Sequence, residues 1–436
     1  MARMVRAGDV SAAELFAAHV EQIRKMNPQL NAVVDLLASP ASQTGGPLAG
    51  VPFSVKDSID VRGAKTTAGT AGRRNAAPAQ EDATLVRRLR AAGGVPLAKT
   101  NLPDLLFSFE SDNLIYGRTN NPYDLARTPG GSSGGEAALI AACGSPLGLG
   151  SDCLGSVRVP AAFCGIASIK PTSGRLPRTG HVPAAAGWAE ALWQIGPMAR
   201  RVEDLVLAMK LLAAEDDDDF TSPPMPLVES PKGKNLRLAF FVDNGFARCA
   251  PEIKGAVREC AEFFSQSGIM IEEQRPPGVE QAYELELALL GADGAETIGN
   301  YLKDVGSTEV HPFLTHFVDQ MRPYRASASE FAKRWAQWDE YRANLHRFFR
   351  QYDAILCPVY ARAALKHGES IVEENFHGFS YTMAWSVAGA PAATVRCASH
   401  AGLPVNVQVV TKPWDDMLAL EICRSIEDRF GGWQPA

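Results

Sequence analysis

At 436 residues the chain exceeds the size at which one hydrophobic core usually stops growing, so length allows two or three domains or one large α/β sheet with insertions. Hydrophobic residues make up 46% and charged residues 21%, an ordinary globular composition with material for a sizeable core. A formal charge of −6 and the lack of any Lys/Arg-rich run argue against a nucleic-acid or membrane-surface partner.

In chain order, Val10-Ser11-Ala12-Ala13-Glu14-Leu15 reads as a helix start, with Ser11 as cap, Glu14 in the reciprocal capping position and apolar residues at helical spacing through Ile23. Gly50–Val55 reads as a buried strand running into Lys56, Thr84–Ala92 as a helix and Val95–Ala98 as a strand, which begins a β/α alternation. Residues 121–180 are rich in Gly, Ser and Pro but contain a helical stretch, Glu136–Ala142, so they are not a disordered linker. Between Glu215 and Lys234 the acidic run Asp216–Asp219 is followed by Pro223, Pro224, Pro226 and Pro231, expected as a surface connection between two halves. Beyond it, Leu236–Val242, Pro251–Ser267 and Ile269–Glu273 spell a βαβ unit that extends a sheet. Tyr283–Leu302 and Ser329–Phe349 are expected as long helices of a lobe spanning 283–350, Ala354–Pro358 and Val405–Val410 as strands, and Asp416–Phe430 as the last helix.

No apolar run approaches the ~20 residues needed to span a bilayer and no secretory pattern opens the chain, so a soluble cytoplasmic protein is expected. The eight cysteines lack close C-x-x-C pairs and are expected to be reduced thiols rather than zinc ligands.

Chemistry concentrates in two stretches, Gly130-Gly131-Ser132-Ser133-Gly134-Gly135-Glu136 and Gly148-Leu149-Gly150-Ser151-Asp152-Cys153-Leu154-Gly155-Ser156-Val157-Arg158. Glycines flanking serines at a helix start allow close backbone approach and leave N–H groups free for an anion. Asp152–Ser156 places a second hydroxyl behind another run of amides, as an oxyanion hole requires. A hydroxyl nucleophile needs a base, and none of the eight histidines lies within these stretches, although a distant one could fold against them. Lys56 is the competing candidate, because a lysine buried behind Val51–Val55 could lose its proton near neutral pH.

Together these segments resemble the amidase signature family, and within it the fatty acid amide hydrolase-like branch. The matching pieces are Gly50-Val51-Pro52-Phe53 leading to Lys56-Asp57, then Lys99-Thr100-Asn101, then Thr128-Pro129 through Glu136, and Pro160 through Phe163-Cys164-Gly165 to Lys170-Pro171-Thr172-Ser173-Gly174-Arg175. The likeness runs from about residue 10 to 205 and is weak beyond. It implies a single α/β/α domain over 1–436 with a mixed twisted central sheet flanked by helices. It also implies Ser156 as nucleophile, Ser132 as a bridging serine on a cis peptide, and Lys56 as base. The oxyanion hole would come from Cys153, Leu154, Gly155 and Ser156, with Ser133, Asp152 and Arg158 in support and Arg175 structural or pocket-lining. Leu154 departs from the family's usual glycine, and a leucine resists positive φ and adds bulk. Asp152 and Arg158 read equally well as anchors of the serine loop or as a surface ion pair.

The implied activity is hydrolysis of small aryl or alkyl amides through an acyl-enzyme, with no metal or cofactor; carbamates and esters are chemically close substrates. Phe313, Phe317, Phe376, Phe379, Tyr381 and Trp385 are candidate apolar walls. The alternatives are an amidotransferase component of a tRNA-dependent complex that works only with a protein partner, a catalytically dead binding protein, and an α/β-hydrolase with Ser133 as nucleophile in Gly131-Ser132-Ser133-Gly134-Gly135. Nothing in the sequence sets the oligomeric state.

Overall fold

The alternation of side chains in Pro52-Phe53-Ser54-Val55-Lys56 sets the layering. Phe53 and Val55 enter one apolar core, while Ser54 and Lys56 face the opposite side, where they meet Glu136 and Ser132. In the computed structural model, which describes residues 1–38, 45–184, 187–229 and 235–436, eleven strands follow that plan. They are β1 (Val33–Leu36), β2 (Pro52–Lys56), β3 (Val95–Thr100), β4 (Leu147–Asp152), β5 (Ala167–Lys170) and β6 (Gln194–Ala199), then β7 (Arg237–Phe240), β8 (Met270–Glu273), β9 (Ala354–Pro358), β10 (Ala392–His400) and β11 (Leu403–Thr411).

Among the described residues these strands form one sheet in the order β1-β3-β2-β4-β6-β5-β10-β11-β9-β7-β8. Strand β2 runs parallel to β3 and β4, and β7 parallel to β8 and β9, whereas β4–β6–β5–β10–β11–β9 are joined antiparallel. The sheet is therefore mixed, with helices on both faces, as expected for α/β/α layering. One face carries helices Ala12–Leu30, Gly134–Ala141 and Arg158–Phe163, which share a core with Val95 and Leu97. Helices Thr84–Ala91, Val202–Leu212, Pro251–Gln266 and Asp416–Phe430 close the larger core on the other face.

The first long helix begins as its sequence specifies. Ser11 accepts the Glu14 N–H at 3.1 Å and Glu14 returns to the Ser11 N–H at 2.9 Å, a reciprocal cap that satisfies two otherwise orphaned donors. The βαβ unit is present as β7, the helix Pro251–Gln266 and β8.

Several expectations are corrected. Tyr283–Leu302 is two helices, Ala282–Leu290 and Glu296–Asp304, because Gly291 packs against the Met321 backbone and Ala295 turns left-handed at φ 64°. A helix at Pro312–Met321, capped by His311, was not foreseen. Strands β1, β4, β5, β6 and β10 were also missed; β4 and β6 carry glycines within them, where alternation is hard to read. The connection expected over Glu215–Lys234 extends in part into 230–234, outside the described residues. Within its described part, Asp219 is held against Arg178 rather than solvated: its carboxylate accepts the Arg178 N–H at 2.8 Å.

Glu136 pins the site helix to the sheet. Its buried carboxyl accepts hydrogen bonds from Ser54 on β2 and, at 2.7 Å, from Thr100 on β3, and a Cβ at Gly148 on β4 would collide with it. Gly148→Ala is therefore expected to destabilise the fold by about 1–3 kcal/mol through overpacking. Chemical denaturation with an unchanged m-value checks this.

Candidate active site

The serine loop of residues 152–158 is built around a buried ion pair. Asp152 ends β4, and its carboxylate receives Arg158 Nε and Nη2 at 2.9 and 2.8 Å. Both side chains are fully buried. The same carboxylate accepts the backbone N–H groups of Gly155 at 2.8 Å and Val157 at 3.1 Å, winding residues 152–158 around one charge. Burial alone would raise the Asp152 pKa, but Arg158 and these donors outweigh it and hold the carboxyl below its ordinary value. Arg158 continues to the Thr382 carbonyl at 2.8 Å and Ser386 Oγ at 2.9 Å. The pair is thus a loop anchor and not a surface ion pair.

Gly155 sits at φ 133°, and a Cβ there would collide with Thr382. Glycine is thus required at 155, while Leu154 is not among the residues with positive φ. The expected backbone conflict at Leu154 does not arise. Its carbonyl accepts from Thr382 Oγ1 at 2.6 Å, and its side chain joins an aromatic cluster with Phe109, Phe317, Phe376 and Phe379. Phe109 and Phe379 stack at 3.5 Å. Of the six aromatics suggested as pocket walls, Tyr381 and Trp385 instead belong to the large core, and Phe313 lies against His311. Phe109 was missed.

Gly131–Ser132 is a cis peptide, the feature the resemblance implied. Ser132 Oγ lies 2.6 Å from Lys56 Nζ, so residues 76 positions apart meet at the end of β2. Ser133 donates its N–H to the Ser156 carbonyl at 3.0 Å, which seats the two serine stretches against each other. Its hydroxyl is engaged by the Ser151 backbone on both sides, at 3.3 Å. Ser133 thus supports the loop, and its position at the start of a helix that follows an irregular segment is not a strand-to-helix elbow.

Of the four amides expected to form an anion hole, that of Gly155 is committed to Asp152. The described residues make no hydrogen bond to the N–H groups of Cys153, Leu154 or Ser156. Ser156 itself, between Gly155 and Val157 within this loop, is 7% exposed.

Lys56 has no exposed surface. Burial drives its pKa well below the ordinary lysine range, against the opposing pull of Asp152 and Glu136. Asp57, next to Lys56 in sequence, is turned away from it: it binds Thr67 and lies 3.4 Å from Lys99 Nζ. Lys56 also contacts Ser151 Oγ at 3.1 Å, and the same hydroxyl lies 3.1 Å from His181 Nε2. Ser151 and His181 were not recognised in the sequence as parts of the site. Ser151 was visible inside the motif, two positions from Leu149 on an alternating strand; His181 arrives by way of the bridge between Ile59 and His181, a pairing with no local signal. Arg175 is structural, pairing with buried Asp416 at 3.1 Å and covering the Trp414 ring at 4.6 Å.

All eight cysteines are unpaired thiols. Among the described residues no group of three or more His, Cys, Asp or Glu side chains is arranged to hold a metal ion, and no helix is long and apolar enough to cross a membrane.

A mixed sheet that presents a buried lysine, a serine on a cis peptide and an ion-pair-wound serine loop defines an enzyme of the amidase class. The chain belongs to the Amidase family, whose model matches residues 14–420, and it is an amidase acting on carbon–nitrogen bonds other than peptide bonds. The likeness therefore extends well beyond residue 205, where the motifs had run out. The chain is 29% identical to fatty-acid amide hydrolase 1 of Sus scrofa, covering 100% of this chain and 86% of that protein. It is 33% identical to one of the subunits of the glutamyl-tRNA(Gln) amidotransferase of Thermus thermophilus, over 95% of this chain and 93% of that one. The structure of 6-aminohexanoate cyclic dimer hydrolase complexed with substrate superposes with a TM-score of 0.88 at 25% identity, covering 98% and 96% of the two chains.

Two outcomes follow from the buried charges. Removing Asp152 as Asp152→Ala leaves Arg158 unpaired in the interior and should destabilise the protein by about 3–5 kcal/mol, read from denaturant unfolding. Lys56→Met should raise the melting temperature, and more so as pH falls. The sign follows from linkage: in the window between the lowered folded pKa and the ordinary lysine value, the unfolded chain binds a proton that the folded one refuses, so wild-type stability rises with pH there and the Met variant lacks that dependence. Melting curves of both proteins across that window test it.

Proposed function

We propose that the chain hydrolyses small aryl or alkyl amides through an acyl-enzyme, with Ser156 as nucleophile, Ser132 as proton bridge and Lys56 as neutral base. The observation that carries this reading is the 2.6 Å contact between Ser132 Oγ and a lysine with no exposed surface. An ammonium has three donors and no acceptor; a lysine kept neutral by burial has a lone pair to offer. Lys56 takes the Ser132 proton as Ser132 takes that of Ser156, the Ser156 oxygen bonds to the substrate carbonyl carbon, and the carbonyl π electrons move to oxygen. The N–H groups of Cys153, Leu154 and Ser156 receive that oxyanion, with Gly155 serving Asp152 instead. The relay then returns the proton to the leaving nitrogen, the C–N bond breaks, and water releases the acid by the same route.

The substrate class rests on the aromatic cluster beside Leu154. Phe109, Phe317, Phe376 and Phe379 form a buried apolar cluster with Leu154 of the serine loop, which supports an aryl or alkyl acyl group as the part of the substrate held there. Carbamates and esters present the same carbonyl and remain within reach of this machinery. The helices of residues 283–350 contribute Tyr283, Leu287 and Phe317 to the cluster, which supports their reading as part of one domain that roofs the pocket. Similarity to an amidotransferase component makes the isolated chain the right material for assay: turnover of p-nitroanilides without a partner supports a free-standing amidase, and activity only with added partner protein would replace it.

Ser156→Ala should abolish both turnover and labelling by a fluorophosphonate probe, while labelling that persists at Ser133 would overturn the assignment. Lys56→Arg should lose about as much rate as Lys56→Ala, because guanidinium stays protonated at usable pH; a rate–pH profile on one activated amide reads this, and wild-type kcat/KM should rise with pH through the lowered Lys56 pKa. Leu154→Gly should alter the ratio of rates for large and small acyl groups by more than it alters unfolding stability, and an unchanged ratio would reduce Leu154 to a tolerated loop residue.

A further inference from the structure

His181 lies behind the lysine, 6% exposed, with its ring centre 4.4 Å from that of Trp193. Its loop is tied to the segment after β2, since Asp60 donates its N–H to the Gly180 carbonyl at 2.9 Å and Val182 to that of Ser58 at 2.7 Å. Nδ1 lies 2.9 Å from the Pro183 carbonyl oxygen. A carbonyl only accepts, so Nδ1 carries the ring proton and Nε2 is left with a lone pair. The hydroxyl of Ser151 faces that lone pair at 3.1 Å and donates to it.

The direction of every remaining bond is then fixed. Ser151 Oγ, having given its proton to the imidazole side, can only accept from Lys56 Nζ at 3.1 Å, and the Ser151 carbonyl accepts a second N–H at 3.4 Å. A neutral amine has two N–H groups and one lone pair. With both N–H groups directed at Ser151, the lone pair is left for Ser132 at 2.6 Å. After proton transfer the third N–H of the ammonium points back along the same line, so neither charge state requires the chain of bonds to turn over.

Building on the proposed Lys56–Ser132–Ser156 relay, we infer that His181 is a positioning residue: as the neutral Nδ1–H tautomer it withdraws the Ser151 proton from Lys56 and thereby aims the Lys56 lone pair at Ser132. Burial supports the neutral state by pushing the imidazole down to about 3; the Pro183 carbonyl works against that shift, and Arg178 on the preceding turn and Lys99 on β3 reinforce it, as does Lys56 on β2 whenever it holds a proton. The Nε2 atom of His181 meets Ser151 rather than Ser132 or Ser156, so its place is behind the relay and not that of the base.

The test is a set of variants assayed on one activated amide. In His181→Phe the Ser151 hydroxyl has no acceptor on that side and turns to the Lys56 lone pair, competing with Ser132. The expected result is a kcat about 10- to 100-fold lower, as for a misdirected reacting group, with KM little changed. The acid limb of the kcat profile should move to lower pH, because a donor to the amine favours its neutral form. His181→Gln, which restores an acceptor, should recover most of the rate. Adding Ser151→Ala to His181→Phe should remove the competitor and raise kcat above that of the single Phe variant. A Phe variant with wild-type kcat and acid limb, or one that only melts earlier, would overturn the inference. Should the Phe variant not fold, ¹⁵N shifts of the wild-type imidazole decide: an Nδ1–H tautomer from about pH 5 to 9 supports it, and an imidazolium or Nε2–H tautomer refutes it. Failure of the underlying reading is distinguishable, since it would remove fluorophosphonate labelling at Ser156 from the wild type itself.

Discussion

The site depends on the removal of one lysine from water. A primary amine is useless as a base while it holds its proton, and what lowers its proton affinity here is burial at the end of a central strand, β2, between β3 and β4. Two carboxyls pull the other way, and the fold weakens both. Asp152 is saturated by Arg158 and by backbone donors. Glu136 is itself buried and pushed up to about 7, so that near neutrality a large fraction of it carries no charge to stabilise the ammonium. Asp57, adjacent in sequence, faces Lys99 instead. Desolvation wins because each anion that could have cancelled it is neutralised, turned aside or already paired.

Strand geometry supplies the rest of the arrangement. Parallel pairing of β2 with β4 sets Val55 opposite Leu149, so the ends of both strands, Lys56 and Ser151–Asp152, emerge side by side. The serine-rich segment then has to pass above them closely. Glycines make that possible: a Cβ at Gly131 would strike the backbone of residues 108–110, and one at Gly150 would strike Ser133. The helix Gly134–Ala141 begins immediately after this crossing and is locked to the sheet through Glu136. A polar site is thus held by buried elements on several sides rather than by surface loops, which limits the freedom of each side chain in it.

How much of this was readable from the sequence follows from the range of each signal. Ser11 and Glu14 declare a helix start within four residues, and the structure has that cap. Lys56, Ser132, Ser133, Asp152 and Ser156 sit inside short glycine-bearing motifs, so their candidacy was legible even though the 2.6 Å contact of Lys56 with Ser132 was not. His181 was one histidine of eight with nothing nearby to single it out; its relevance arises from a bridge to Ile59 across more than a hundred residues. The break at Gly291–Ala295 was lost for a similar reason. Helical spacing persists on both sides of it, and the cause, close packing of Gly291 on the Met321 backbone, is tertiary. The conflict expected at Leu154 failed for the opposite reason: the local rule about positive φ holds, but one residue further on, where Gly155 takes the strained position.

The displacement of that strain to Gly155 frees the Leu154 side chain to pack. With its backbone in an ordinary region, Leu154 contributes a side chain to the buried aromatic cluster without disturbing the amides around it, and the Thr382 hydroxyl holds its carbonyl at 2.6 Å. The same helix that carries Thr382 carries Ser386, a partner of Arg158. Leu154 and the Asp152–Arg158 loop are therefore fastened to one element, Ser380–Val387, and that element packs against the helix Ala282–Leu290. Substitutions in the 282–290 helix would reach the aromatic cluster through Tyr283 and Leu287, while the Asp152–Arg158 pair holds the serine loop independently of them.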